Sequence, residues 1–535
     1  MQGHYADLWH RIALAAPDLP AIVTVGEGTL TNAEFDDAAA RFAALLAELG
    51  ISRDGKVAIL LQNRPEWLIA FAGCLRVGVV PVPLNFRYRA HEVTALLEDC
   101  DAEALVYGAG LAEVAAEATG ELTNPVALLQ VQDVDAPLLP GARDFADIAD
   151  LAPLPHEDAV DGEFFIYTGG TTGAPKAAMW GVQQMLEMQL YNAYLTADLP
   201  LPESADDVVR MATDPETPRI AALALSPYMH GTALTSVINA LLLGGSIIVL
   251  PMPRFDAARA VRAIIDQRVT RVAVAGDAIA IPLLEAAEEL GVEELPELTS
   301  MISAGMRFSD DTKRRLHRLA PNLVISDILA STEGGAVALS ISRSAAEVPA
   351  RFVMTPGTVV LDEEREEVQD IPGAVGRIAF TGGMPRGYYK DTAKTAANFV
   401  EIRGKRHIIA GDLVRVLEDG EIDLLGRGAA VVNSGGEKVY PAEVEASLMR
   451  FESIDDAVVL GIPDARWGES VAAVVATETP DQLDVRALSD HVGAELAGFK
   501  KPRRILVVRD LERSPTGKVD LAVMRDRTVA EGQAV

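Results

Sequence analysis

Cysteine is all but absent. Cys74 and Cys100 are the only two in 535 residues, which excludes a disulfide scaffold and any C-x-x-C metal or redox site. The eight histidines are scattered without the spacing of zinc ligands. Basic residues are also in short supply, 47 Lys and Arg against 78 Asp and Glu, for a net charge of −31. That sign repels nucleic acid and anionic membranes in bulk, so a polyphosphate ligand must be held by a local site. No G-x-G-x-x-G occurs, which weakens a dinucleotide-binding reading. Nor is there a Walker A loop: the nearest string, Gly50 to Lys56, runs into Val57 instead of a magnesium-binding hydroxyl. The start, MQGHYADLWH, lacks a basic and then apolar leader, so no secretory signal is expected and the chain reads as a reduced, cytoplasmic protein.

With 49% hydrophobic and 23% charged residues, the composition is that of a soluble protein too long for one core. Ile220 to Pro253 contains no Asp, Glu, Lys or Arg, long enough to suggest a membrane span. Pro227, His230, Gly231, Gly244, Gly245 and Pro251 cut it into short elements, so a buried α/β core is expected instead. Apolar runs alternate with helical patterns: Lys56 to Leu61, a helix through Trp67 to Val77, Ala104 to Tyr107, then Phe164 to Tyr167, Ser246 to Leu250, Arg271 to Ala275 and Leu323 to Ser326. The alternation predicts βαβ units. After about Ala350, closely spaced glycines predict a turn-rich β subdomain. From about Gly428 a compact α+β segment follows, with Ala530 to Val535 expected to fray.

The densest chemistry lies in EFFIYTGGTTGAPKAAMW, Glu163 to Trp180. An apolar strand runs into Thr168, Gly169, Gly170, Thr171, Thr172 and Gly173, then Pro175 and Lys176. Glycines let backbone N–H groups converge, threonines add hydroxyls and the lysine adds charge, which together make a phosphate cradle.

This loop resembles the signature of the adenylate-forming acyl-CoA synthetases, and the resemblance continues in order from about residue 10 to 525. It is carried by Ser226-Pro-Tyr-Met-His230-Gly, by Ser303-Ala-Gly305, and by Asp327-Ile-Leu-Ala-Ser-Thr332-Glu333. Arg386-Gly-Tyr-Tyr-Lys-Asp, Gly411-Asp412, Gly426-Arg427, Ser434-Gly-Gly-Glu-Lys438 and Ser514-Pro-Thr-Gly-Lys518 complete the set. The strings Met-His-Gly-Thr-Ala and Gly-Arg-Gly-Ala-Ala-Val-Val-Asn-Ser-Gly-Gly-Glu-Lys are most similar to a bacterial subgroup acting on fatty acids and steroid side-chain carboxylates.

The resemblance implies an α/β fold: a large N-terminal domain of α/β layers with a β subdomain over 1–426, and a small mobile α+β lid over 427–535, hinged at Ala430. It implies that ATP, Mg²⁺ and CoA serve a small-molecule carboxylic acid, which attacks the α-phosphate of ATP before its adenylate meets a thiol. Thr168, Gly169, Gly170, Thr171, Thr172, Gly173, Lys176, Gly305, Asp327, Thr332, Asp412 and Arg427 would hold the nucleotide, with Glu333 and Thr172 on the metal. Lys518, His230, Glu333 and Thr168 would be catalytic; Tyr228, Met229, His230 and Val237 would line the acyl pocket. Ser434, Gly435, Gly436 and Lys438 would line the pantetheine path. Lys500, Lys501 and Arg503 form a small basic patch, read as a solvated charge run before a CoA-phosphate contact. Two departures stand out: Leu329 where many relatives carry an adenine-stacking aromatic, and Ala430 where they carry a charged hinge residue. Transfer to a carrier-protein thiol and a non-catalytic nucleotide sensor are alternatives, though Lys176, Glu333, Asp412 and Lys518 together argue against the sensor. No nucleic-acid partner or membrane span is expected, and a homo-oligomer is left open.

Overall fold

The computed structural model describes residues 3–535 apart from 169–174, 198, 307, 428–431, 435–436, 465–467, 497 and 515–518. At 410, 426, 427, 433, 434, 437, 438, 468 and 499 it describes the backbone alone. By contacts the chain divides into two bodies, Met1–Ala350 with Thr381–Ile408, and Arg351–Phe380 with Ile409–Val535. Of the β-rich pieces after 350, Arg351–Phe380 and those from Ile409 on group with the C-terminal segment while Thr381–Ile408 does not, and this division does not fall at 426/427.

The strands of the first body, in chain order, are β1 (Pro20–Thr24), β2 (Gly28–Thr31), β3 (Lys56–Leu60), β4 (Val80–Pro83) and β5 (Ala102–Gly108). Next come β6 (Ala127–Val131), β7 (Arg143–Asp144), β8 (Glu163–Thr168), β9 (Lys176–Gly181) and β10 (Ala221–Ala224). Then follow β11 (Ser246–Val249), β12 (Arg271–Val274), β13 (Ser300–Ala304), β14 (Val324–Ser331) and β15 (Gly335–Ser342), and later Phe399–Ile402, which pairs antiparallel with residues 405–408. One sheet is parallel in the order β4-β3-β5-β6-β7. The other runs β2-β1-β11-β10-β12-β13-β14-β15, parallel from β1 to β14, with β2 and β15 antiparallel. β8 and β9 form an antiparallel hairpin.

Parallel strands covered on both faces need apolar residues on both, which is why β11 and β12 read Ser-Ile-Ile-Val and Arg-Val-Ala-Val without alternation. The uncharged stretch becomes β10, the helix Gly231–Leu242 and β11. That helix buries Ala233, Leu234, Val237, Ile238, Ala240, Leu241 and Leu242, so it is apolar around most of its circumference because protein surrounds it. Among the described residues no helix is long and apolar enough to cross a membrane.

In the second body the strands Phe352–Met354, Thr358–Leu361, Val375–Phe380 and Glu421–Arg427 join residues 409–416 of Lys405–Val416 in one sheet. A second sheet contains Val432–Ser434, Glu437–Val439, Asp456–Asp464, Gly468–Ala476 and Arg504–Val508. Val444 and Leu448 of Pro441–Leu448 and Leu488 and Val492 of Val485–Glu495 pack on it with Val459, Val471 and Ile505. Met524 joins Leu460, Val474 and Leu506 in a separate cluster.

Two expectations need correcting. The strand expected at Leu323 to Ser326 runs on to Ser331, because β13 and β15 pair along both its edges. The expected fraying tail instead pairs Gln533–Ala534 antiparallel with Arg504 and Ile505, and Val535 N–H donates to Arg503 O at 3.1 Å. Backbone pairing on an open edge needs no apolar pattern, so nothing in the side chains advertised it.

Candidate active site

In an open parallel sheet, loops leaving the carboxyl ends of adjacent strands share one edge, where side chains converge on a ligand. β10, β12, β13 and β14 are such neighbours. β10 feeds Ser226 to His230, β13 feeds Gly305, and β14 feeds Thr332 and Glu333. Three motifs far apart in sequence thus come to one edge.

His230 is the N-cap of Gly231–Leu242, with extended backbone (φ −96°, ψ 135°). The loop before it is held by Asn63, which follows β3. Asn63 Nδ2 donates to Ala224 O at 3.2 Å and Ser226 O at 3.0 Å, and its Oδ1 accepts from Tyr228 N–H at 2.8 Å. One amide spends both donors and its acceptor on this loop. Tyr228, expected in the acyl pocket, packs edge-on against Trp67 at 5.5 Å between ring centroids. Tyr228, Met229 and Val237 are all buried, so Tyr228 and Val237 belong to the packed core.

Thr168 and Lys176 are register partners at the end of the β8–β9 hairpin where the chain passes from one strand to the other. Trp180 at its far end donates from Nε1 to Thr332 O at 2.8 Å, tying β9 to the turn after β14. Residues 386–389 lie along β9 like a further strand: Arg386 N–H donates to Met179 O at 2.8 Å and Tyr389 N–H to Ala177 O at 2.9 Å. From this segment Tyr388 Oη donates to Glu333 Oε1 at 2.7 Å and accepts from Asn398 Nδ2 at 2.9 Å. Burial first, and the neighbouring Glu333 carboxylate second, push the phenol's pKa up and keep its proton in place. Asp391 caps Thr392–Asn398 by accepting from Lys394 N–H at 2.9 Å, and lies 3.6 Å from Lys176 Nζ. Its carboxyl is held below the usual range, chiefly by that backbone hydrogen bond.

Glu333 stands in the tight turn between β14 and β15. Ser331 Oγ accepts from Gly334 N–H at 2.8 Å. Gly335 turns the chain at φ +61°, where an added Cβ would meet Met188 Sδ at 2.4 Å. The β14–β15 ladder shifts register between Leu329 and Ala330, a local bulge of the kind that re-aims a strand's last residues. Gly305 turns at φ +82°, and an added Cβ there would meet nothing within 4 Å, so open space lies beside it.

Asp327 does not join this group. Its carboxylate takes Lys313 Nζ at 2.7 Å, with both side chains buried. Burial is the largest influence on that carboxyl and raises its pKa, against the pull of Lys313. Asp327 thus sits inside a strand with its Oδ2 in an internal ion pair.

In the second body Asp412 follows Gly411 (φ +85°), is buried, and pairs in register with Arg427. Ser434 and Lys438 lie on the antiparallel strands Val432–Ser434 and Glu437–Val439, where Ser434 faces Glu437 and Asn433 faces Lys438. The basic patch is partly neutralised: Lys500 meets Glu443 at 2.6 Å and Lys501 meets Asp490 at 2.7 Å. Gly169, Gly170, Thr171, Thr172, Gly173, Ala430, Gly435, Gly436 and Lys518 lie outside the described residues.

Residues 9–389 match the AMP-binding enzyme family, and residues 443–518 match the AMP-binding enzyme C-terminal domain. The chain is an AMP-binding enzyme. It is similar to the medium/long-chain-fatty-acid–CoA/3-oxocholest-4-en-26-oate–CoA ligase of Mycobacterium marinum, at 35% identity covering 98% of this chain and 96% of that one. It is also similar to the 3-oxocholest-4-en-26-oate–CoA ligase of Rhodococcus rhodochrous, at 32% identity over 99% and 96% of the two chains. Among solved structures, ATP-bound MatB from Rhodopseudomonas palustris matches with TM-score 0.78 and 25% identity over 98% and 99%. Sequence reasoning alone does not single out Asn63, Tyr388, Asp391, Asn398 or Trp180 as site residues of this AMP-binding enzyme. Arg386 to Asp391 is recognisable as a motif, but which charges it touches depends on pairing with β9. Asn63 carries no signal at all.

Proposed function

We propose that the chain is an ATP-dependent ligase that joins a bulky, mainly apolar carboxylic acid to CoA through an acyl-adenylate, releasing pyrophosphate and then AMP. The observation that carries this reading is the convergence of the loops bearing His230, Gly305, Thr332 and Glu333 on one sheet edge, with the Lys176 hairpin tied to it through Trp180. A carboxylate transfers its acyl group poorly until one oxygen becomes part of a good leaving group. Attack on the α-phosphate achieves that, and charge gathers on the phosphoryl oxygens as it happens.

In this reading Thr168, Lys176 and the Gly169–Gly173 loop hold the polyphosphate. Gly305 borders the base, and Asp412 with Arg427 takes the ribose hydroxyls. Lys518 neutralises charge on the α-phosphate in the first step, and His230 orients the acid. Ser434, Gly435, Gly436 and Lys438 serve the pantetheine arm after a lid, 427–535, turns about Ala430 relative to 1–426. Glu333 fits a divalent cation: it offers a hard oxygen, and only Oε1 is taken by Tyr388. With Thr172 it would hold Mg²⁺, which when bound supplies positive charge beside the phosphates. The reading keeps the enzyme in the cytoplasm.

The preference for an apolar acid rests on Met229 beside His230, outside that packed core cluster, and on the names of the two ligases above. An unpaired ammonium buried there would cost several kcal/mol, whereas each buried methylene contributes about 0.8 kcal/mol. The test is CoA-dependent AMP release with acetate, benzoate, octanoate, palmitate and a cholestenoate-type acid. kcat/KM should rise strongly toward the apolar acids; a preference for acetate or benzoate by about tenfold, ~1.4 kcal/mol, overturns the substrate class.

A further inference from the structure

The charges assigned above to the polyphosphate and its cation, Lys176 and Glu333, are both held by one segment, 386–398. Tyr388 reaches Glu333 and Asp391 reaches Lys176. We propose that Tyr388 is a positioning residue that fixes the Glu333 carboxylate for the divalent cation accompanying ATP, with Asn398 setting the direction of its proton. The inference rests on the ligase reading and deepens it.

A glutamate side chain has three rotatable bonds, and ordering it when the cation arrives costs affinity. A donor already on one carboxylate oxygen removes much of that cost. Tyr388 itself is well fixed: it is 3% exposed, its N–H donates to Thr395 Oγ1 at 2.9 Å, and its ring meets Phe399 edge-on at 5.7 Å. The Asn398 amide can only donate through Nδ2, so it occupies a lone pair of Tyr388 Oη. The phenolic proton is thereby left for Glu333. The donor's neutrality matters as well. A lysine or arginine in its place would compete with the cation for the carboxylate, whereas a phenol orients Glu333 without bringing a charge of its own. Among the described residues no hydrogen bond reaches Glu333 Oε2.

The rival account makes Tyr388 a strut that merely joins 386–398 to the turn after β14. Tyr388→Phe, which keeps the ring, and Asn398→Ala separate the two. ATP binding to the full chain is measured by calorimetry, first in excess chelator and then across a Mn²⁺ titration, with pyrophosphate exchange followed against Mg²⁺. Tyr388→Phe should raise the half-saturating cation concentration about tenfold, leave metal-free ATP affinity within about twofold, and regain exchange at high Mg²⁺. Asn398→Ala should shift the cation requirement in the same direction by less, and it answers the question even if Tyr388→Phe folds poorly. Equal losses with and without cation, or an unchanged cation requirement in both variants, would overturn the proposal. Wild-type protein that exchanges no pyrophosphate with any acid would overturn the ligase reading and this inference together, an outcome distinct from normal exchange with an unshifted cation requirement.

Discussion

Replacing Asn63 with alanine should disable the acid side of the site while sparing the nucleotide side. The side chain makes three hydrogen bonds to the loop before His230, to Ala224 O, Ser226 O and Tyr228 N–H. Each is worth roughly 1 kcal/mol net, and the partners are buried, so Asn63→Ala should cost about 3 kcal/mol against denaturant. Sub-ångström to ångström displacements of a positioned group cost up to ~10²-fold in rate, so kcat/KM for the acid should fall by one to two orders of magnitude. The KM for ATP should stay within about twofold. Asn63→Asp sharpens the reasoning. It keeps an acceptor for Tyr228 N–H but turns an oxygen toward two carbonyl oxygens that have lost their donors, so it should be at least as harmful as alanine despite its identical shape. Pyrophosphate exchange with acid and ATP varied separately, alongside urea unfolding, provides the readout. A rise in the KM for ATP as large as the loss toward the acid, or an Asn63→Asp variant indistinguishable from wild type, would refute the clamp.

Asp327→Ala or Lys313→Met alone strands one buried charge and should cost about 3–5 kcal/mol in chemical denaturation, whereas Lys313→Met with Asp327→Leu should recover most of it. Glu495 is held at about 2, below its ordinary 4.5, first by Arg450 and then by Ser447. A depressed carboxyl stabilises the fold above its unfolded pKa and loses that contribution as pH falls through the folded one, so wild type should lose more stability than Glu495→Gln between about pH 4.5 and 2 in acid unfolding. Lys518→Ala should nearly abolish adenylation yet spare thioester formation from supplied acyl-adenylate, checked by assaying the two half-reactions separately. Ala430→Pro, by fixing φ, should keep pyrophosphate exchange and lose CoA ligation; full ligation would place the hinge elsewhere.

The βαβ body is legible because its strands are short apolar runs separated by helical periodicity. Motif loops are legible because glycine and hydroxyl density after a buried strand has few other uses. What escapes is pairing. Asp327 looks like a ligand because its string ends in Thr332 and Glu333, while the lysine that pairs with it lies in Asp310–Leu319, on a different periodicity. Asn63 is one polar residue after a strand, and its role exists only where β3 and β10 bring their following loops together. Tyr388 reaches Glu333 only because residues 386–389 pair with β9. The C-terminal strand is invisible for the same reason: edge pairing is made by backbone, which carries no composition.

Trp180 gives the protein an optical probe of its own. Its indole is 1% exposed, and its N–H is spent on the carbonyl of Thr332, the residue before Glu333. Indole emission responds to the hydrogen bond and field at that nitrogen, so anything that shifts the turn after β14 changes colour or yield without a label. The other three tryptophans are Trp9, Trp67 and Trp467. Phenylalanine at those positions would leave one emitter on the seam between the hairpin strand and the Glu333 turn, and occupancy of the nucleotide site could then be followed by stopped-flow fluorescence, turnover by turnover.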